Sequence, residues 1–225
     1  GNAYTITVGT ASVTAAALKA VNDATTVAVT ATAVTAITGS ASDLDSIYTS
    51  GVSGLGNETV TVSDADVTAA HLNTINAGTN VNVVATAVTN ITGSKTELAT
   101  TYGGGMTGLG NETITVSDAN ITSAEANIID GYTDGAVTAT ISTTAIADLD
   151  DLTGTGNAYT ITVATADVTA AALKTVNDAT TVNVTATAVT NITGSKTDLA
   201  SVYGGGITGL GNETITVSDA NITSA

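Results

Sequence analysis

The chain contains no cysteine, proline, tryptophan, phenylalanine or arginine. Without cysteine there is neither a disulfide framework nor a thiol nucleophile. The redox compartment stays open, because disulfides are common but not compulsory outside the cell. One histidine, one methionine and six tyrosines complete the short supply of large or reactive side chains. A wide globular core leans on Phe, Trp and Met, so one built from Val, Ile, Leu and Ala suits a thin, regular interior. Positive charge is scarce too: four lysines stand against 20 acidic residues, a formal charge of −16. Nucleic-acid affinity rests on Lys and Arg neutralising phosphates, so a nucleic-acid partner is excluded. No apolar run reaches the roughly 18 to 20 residues of a membrane helix. An initiating Met and a signal peptide are also missing, as expected of an internal or processed segment.

What is present is patterned. The composition is 43% hydrophobic, rich in Thr, Ala, Val and Ile, enough to fold rather than stay disordered. Gly-Asn opens a unit at Gly1, Gly56, Gly110, Gly156 and Gly211, which divides residues 1–225 into repeats 1–55, 56–109, 110–155, 156–210 and a partial 211–225. Within them a template of [VI]-x-[VI], with another β-branched residue seven after the first, starts at Ile6, Val27, Val60, Val81, Ile114, Ile161, Val182 and Ile215. A ninth half-unit, at Val137, departs from it and lies in the shortened unit. Alternation of Val or Ile with Thr, as in "YTITV", is the period-2 signature of a half-buried strand. Between these strands, "SKTEL" (94–98) and "SKTDL" (195–199) place Ser three before an acid, a capping box. Thr14 and Thr68 precede good helix formers as caps.

One strand, a turn and a helical turn or two in 21 to 33 residues is the size of one coil of a repeat array, which stacks on its neighbours to bury its apolar edge. The expected fold is therefore one continuous solenoid, β-helical or α/β, of about nine coils with stacked parallel strands and short helical or turn connections. The phrase "GNETITVSDANITSA" at 211–225 repeats 110–124 letter for letter, and neither end carries a polar cap. The expectation is a piece of a longer array, or ends that stack head to tail on further copies.

Chemistry-bearing residues are few. His71 aligns with Ala17, Glu125 and Ala172 in the other repeats, which reads as an exposed helix position. A Ser-His-Asp triad would have to use this one histidine, yet the other repeats do without it. The Gly triplets at 103–105 and 204–206 and the "GLGNE" phrases match no phosphate-loop motif and read as turns. Asp148, Asp150 and Asp151 in "ADLDDL", with Asp64, Asp118 and Asp219 after Ser, are weak calcium candidates without an EF-hand or nonapeptide pattern. Solvated capping or turn carboxylates are their plainer reading. Between the template apolar residues stand Thr7, Ala28, Thr61, Asn82, Thr115, Thr138, Thr162, Asn183 and Thr216. Stacking would align them as a ladder: either ordinary exposed strand threonines or a flat hydroxyl and methyl face meeting another array, a polysaccharide or ice.

Phrases such as "AVTNITGSKTDLASVYGGGITGLGNETITVSDANITSA" and "TSAEANIIDGYTDGAVTATI" resemble the tandem repeats of giant secreted surface proteins of marine cyanobacteria. Related wording occurs in fibre-like proteins of their phages. The resemblance implies a cell-surface, motility or adhesion role and no catalytic residues. The expected function is thus a structural segment of an extracellular filament or cell-surface layer, without enzymatic activity or cofactor, calcium aside. An adhesin or binding module using the Thr face is the alternative.

Overall fold

The computed structural model describes residues 2–220. In chain order it holds β1 (Ser12–Thr14), α1 (Ala15–Asp23), β2 (Ala36–Gly39), α2 (Ala41–Thr49), β3 (Thr59–Val62), β4 (Asp66–Thr68), α3 (Ala69–Gly78), β5 (Asn90–Gly93), α4 (Lys95–Gly103) and β6 (Thr113–Val116). It continues with α5 (Ser123–Asp130), β7 (Val137–Thr140), α6 (Ile146–Leu149), β8 (Ala158–Thr160), β9 (Asp167–Thr169), α7 (Ala170–Asp178), β10 (Val184–Thr185), β11 (Asn191–Gly194), α8 (Lys196–Gly204), β12 (Ile207–Thr208) and β13 (Thr214–Val217). Two compact units emerge: one runs to Thr115 and includes Thr133–Gly135, the other takes Val116–Tyr132 and the chain from Ala136 onward.

The single solenoid of nine stacked coils does not form, and neither solenoid nor β-helix describes the molecule. It is an α/β fold whose strands fall into four separate parallel sheets of three, five, three and two strands, with eight helices among the described residues. The cause lies in the unequal half-units. In the first unit Thr7 bridges Thr30, and Thr30 bridges Ser53. The next strand, β3, does not extend this row; it pairs with β2 on one edge and bridges Val84 through Thr61 on the other. With half-units of 21 and 33 residues, β3 draws one neighbour from the half-unit before it and the other from the half-unit after it, and the row through Thr7, Thr30 and Ser53 is a separate one.

A second correction concerns register. The template, with its Val and Ile positions inside, places Val27, Val81 and Val182 in the core, yet they are 38%, 37% and 39% exposed, while Val29, Val83 and Val184 are fully buried. In these half-units the inward pair is Val29 with Ala31, Val83 with Ala85 and Val184 with Ala186. A slip of two residues keeps the alternation of faces but changes which apolar residue ends the row. Among the other template positions Val34, Val60, Val62, Val67, Val88, Ile114, Val116, Ile121, Ile161, Val163, Val168 and Val189 are buried as expected, whereas Ile6, Val8 and Val13 are half-buried, Ile215 and Val217 are exposed, and Ile222 lies outside the described residues.

The helices begin where the sequence says. Thr14, Thr68 and Thr169 accept from the backbone N–H three residues on, and Ser94 with Glu97 forms a complete capping box. Each such cap is worth about 1 kcal/mol. Leu18, Leu44, Leu72, Leu98 and Leu173 carry the buried helix faces, each contributing about 1.5–3 kcal/mol of transfer free energy. Strands β2, β5 and β11 end in glycine because they abut the starts of helices. A Cβ on Gly39, Gly93 or Gly194 would stand 2.5, 2.6 or 2.5 Å from the Cβ of Ala15, Ala69 or Ala170.

Candidate functional site

The polar side chains that recur at fixed places make one kind of bond: they tie a repeat to the backbone of the segment 19 to 24 residues away. Thr25, Thr79, Thr133 and Thr180 occupy one position, each following a helix. Each donates its hydroxyl to the carbonyl 21 residues back, at Tyr4, Glu58, Glu112 and Tyr159, over 2.6 to 2.8 Å. The same hydroxyl oxygen accepts from the N–H two residues on, at Val27, Val81, Gly135 and Val182. Both capacities of the hydroxyl are thereby used. Thr35, Thr89 and Thr190 repeat the theme on Ala11, Ala65 and Ala166. Ser53, Thr107 and Thr208 do so on Val29, Val83 and Val184.

A second recurring tie is a carboxylate clasp. Glu58 and Glu112 are each 1% exposed. The carboxylate of Glu58 accepts from the backbone N–H of Gly56 and Asn57 at 2.7 and 3.0 Å and from the Tyr48 hydroxyl of α2. Glu112 accepts from Gly110 and Asn111, and from Tyr102 of α4 at 2.8 Å. Glu213 repeats the arrangement with Gly211 and Tyr203 of α8, at a more exposed place. A buried charge needs this much partnership, since an unpaired one is expensive. Burial, then the hydrogen bond and charge of the glutamate, raise the Tyr48 and Tyr102 hydroxyls above their ordinary range. Tyr203 is pushed up to about 12 by the same causes. Burial pushes Glu213 up, but the hydrogen bonds it accepts from backbone and Tyr203 outweigh this and leave it below its ordinary value.

The shortened unit shows the clasp's parts depend on each other. Ten residues separate Tyr48 from Glu58, Tyr102 from Glu112 and Tyr203 from Glu213; the same spacing there joins Leu149 to Tyr159. Both are buried, so donor and acceptor have been replaced together. The Tyr159 hydroxyl is the buried side-chain atom left without a partner among the described residues. Burial and then the charge of Asp130 raise its pKa. Asp130 is held by Asn157, which donates to it at 2.7 Å and accepts from the Val137 N–H.

The acidic calcium candidates do not gather. Asp64 accepts from the N–H of Ala41, the first residue of α2, at 2.7 Å, and Asp219 accepts from that of Lys196, the first of α8, at 2.6 Å. A carboxylate there satisfies an orphan donor and complements the helix dipole. Thr143 and Thr165 serve Ser123 and Ile146 in the same way. Asp118, at the position matching Asp64, is half-buried. Asp148 and Asp151 are exposed and Asp150 caps α6. Among the described residues no three His, Cys, Asp or Glu side chains form a group that could hold a metal ion.

Of the threonine candidates Thr61, Thr115, Thr138 and Thr216 lie on strands and Thr7 and Thr162 at isolated bridges, in a different ladder from the one expected. Thr7 faces Thr30 rather than Ala28, Thr61 faces Thr38 and Val84, Thr138 faces Ala158, Thr162 faces Thr185, and Thr216 faces Thr193. Thr115 is exposed on β6. Threonines align in the rows Thr14–Thr38–Thr61, Thr169–Thr193–Thr216 and Thr162–Thr185–Thr208, but the hydroxyls of Thr14 and Thr169 are taken by helices α1 and α7 and that of Thr208 by the Val184 carbonyl.

An open depression of about 320 Å³ is lined by Asp64, Asp66, Thr68, His71 and Thr92. A matching one of about 460 Å³ has Asp167, Thr169 and Thr193 but Ala172 where His71 stands. The second forms without the imidazole, so His71 is incidental to it. Among the described residues no helix is long and apolar enough to cross a membrane. No protein-family model, curated protein or solved structure matches this chain.

Reading the sequence alone missed the ties. The signal was there: a Thr recurs within three residues of the end of α1, α3, α5 and α7, at 25, 79, 133 and 180, and Tyr and Glu ten apart appear and vanish together.

Proposed function

We propose that this chain is a structural segment of a repetitive extracellular filament or cell-surface layer, associating with copies of itself or with further repeats of the same kind. The observation that supports this reading is the recurrence of the Thr25, Thr79, Thr133 and Thr180 tie, with the buried Tyr–Glu clasps beside it. Side chains that elsewhere build a catalytic or ligand site are here spent on the protein's own backbone. The reading assigns no catalytic role and needs no resident cofactor. Calcium, if it acts, relieves the self-repulsion of a strongly acidic chain rather than filling a cage. Electron microscopy of the purified protein tests the reading: filaments or layered sheets are expected, and isolated particles at every concentration would contradict it.

A second reading, an adhesin or binding module for polysaccharide or ice, draws on the pair Thr193–Thr216, both exposed, and on Thr38–Thr61, of which Thr38 is exposed and Thr61 half-buried. It is the weaker one, because each row loses one hydroxyl to a helix cap. Retention on crystalline cellulose or chitin, or thermal hysteresis, would favour it.

A further inference from the structure

Three residues before Thr25, Thr79, Thr133 and Thr180 stand Asn22, Asn76, Asp130 and Asn177. The asparagines face the turn that comes after the next helix. Asn22 donates to the Ser50 carbonyl and Asn76 to that of Gly104, both at 3.2 Å. A Cβ on Gly104 or Gly205 would stand 2.8 or 3.1 Å from the amide nitrogen of Asn76 or Asn177. In the shortened unit the turn glycine is Gly154, and its Cβ would stand 2.5 Å from the Asp130 carboxylate. The backbone comes as close as in the other repeats, but a carboxylate has no N–H to give to it. Asp130 also ends α5, where the helix dipole disfavours a negative charge and favours a cation. Asn157, itself 1% exposed, donates to it at 2.7 Å and turns its own Oδ1 to the Val137 N–H. The Tyr159 hydroxyl is the further oxygen here: its residue is 1% exposed, it has no hydrogen-bond partner, and it lies close enough to Asp130 to feel the charge. Asp130 is only half-buried, so the group is reachable from solvent.

We propose that the Asp130 carboxylate, with the oxygens of Tyr159 and of the Gly154 turn, binds one monovalent alkali cation. The site is independent of the structural reading above. Charge sets the class of ion. One half-buried carboxylate is neutralised by a single positive charge, and a charge withdrawn from water needs such a partner. A divalent ion would leave an excess of charge and find no further carboxylate, since no three His, Cys, Asp or Glu side chains gather among the described residues. Alkali cations, hard like calcium, take oxygen ligands, which is what Asp130, Tyr159 and a turn carbonyl supply. The site belongs to the shortened unit, because Asn22, Asn76 and Asn177 stand in place of the carboxylate in the other full repeats. There the amide N–H ties the turn directly; here the cation joins carboxylate to turn instead.

The test compares thermal melts in potassium, sodium and tetramethylammonium chloride at equal ionic strength, which holds the screening of the −16 charge constant. The unaltered protein should melt higher in potassium or sodium, by a shift that grows with concentration as binding of a ligand to the folded state requires. Asp130→Asn carries the amide of the other repeats, so it should fold, and it should melt alike in all three salts. Circular dichroism checks folding. Tyr159→Phe should match the unaltered protein in tetramethylammonium, as expected of a hydroxyl with no hydrogen-bond partner, and lose most of the rise in the alkali salts. Asp148→Asn removes the same charge from an exposed position and should keep the full rise. Equal melts of the unaltered protein in the three salts, or a rise that survives in Asp130→Asn, would overturn the cation site.

Discussion

The Tyr102 hydroxyl donates to the Glu112 carboxylate at 2.8 Å, and the glutamate it reaches is 1% exposed. The bond joins a helix to the turn that opens the next repeat. Tyr102→Phe leaves a buried carboxylate short of one donor, which costs about 1–3 kcal/mol. Tyr159→Phe removes a hydroxyl that has no partner, so it should cost nothing or stabilise slightly. Urea unfolding of the two variants checks the contrast. Equal losses would mean that ring packing, not the clasp, sets the effect.

The clasp also sets a pH window. Glu213 lies below its ordinary 4.5 when folded, so its contribution is present above about that pH and is lost as pH falls through the folded value. Tyr203 lies above its ordinary 10.0, at about 12, so its contribution is complete below the lower figure and is lost as pH rises toward the higher. Stability should therefore fall on both sides of a broad neutral plateau. Glu213→Gln should flatten the acid limb; an unchanged limb would assign it to other carboxylates.

Val62 is fully buried and Val81 is 37% exposed, although both fit the same apolar template. Val62→Asp should cost several kcal/mol, because a carboxylate is forced into the core, while Val81→Asp should change stability by less than about 0.5 kcal/mol. Thermal melts compare them directly. Similar losses would restore the register read from the sequence.

Gly93 faces the Cβ of Ala69. Gly93→Ala should destabilise by about 1–3 kcal/mol through overpacking, and Ala69→Gly in the same chain should recover part of that loss. Additive losses in the double variant would show that the close approach is not the cause.

Much of this was legible in the sequence. The caps at Thr14, Thr68 and Ser94 follow from side-chain chemistry local to a few residues, and most template positions are indeed core. The register at Val27, Val81 and Val182 was not legible, because alternation fixes the faces of a strand but not which residue ends its row. Nor was the division into four sheets: it depends on how strands such as β3 choose partners on both edges, a non-local matter. The burial of Glu58 was hidden because "GNE" reads as a turn, and only the distant Tyr48 explains how a carboxylate is tolerated inside. The burial of Thr79 and Thr133 was hidden too, because a hydroxyl bonded to a carbonyl 21 residues away leaves no local mark.

Threonine hydroxyls tie one strand-and-helix segment to the next within each repeat, and Thr79 offers the most direct measurement. Its hydroxyl is buried, donates to Glu58 at 2.8 Å and accepts from Val81. Thr79→Val keeps the shape and removes the hydroxyl; Thr79→Ser keeps the hydroxyl and removes a methyl group. Chemical denaturation should show Thr79→Val losing about 1–3 kcal/mol through unsatisfied buried groups, and Thr79→Ser losing clearly less. Equal stability of Thr79→Val and the unaltered protein would contradict the account.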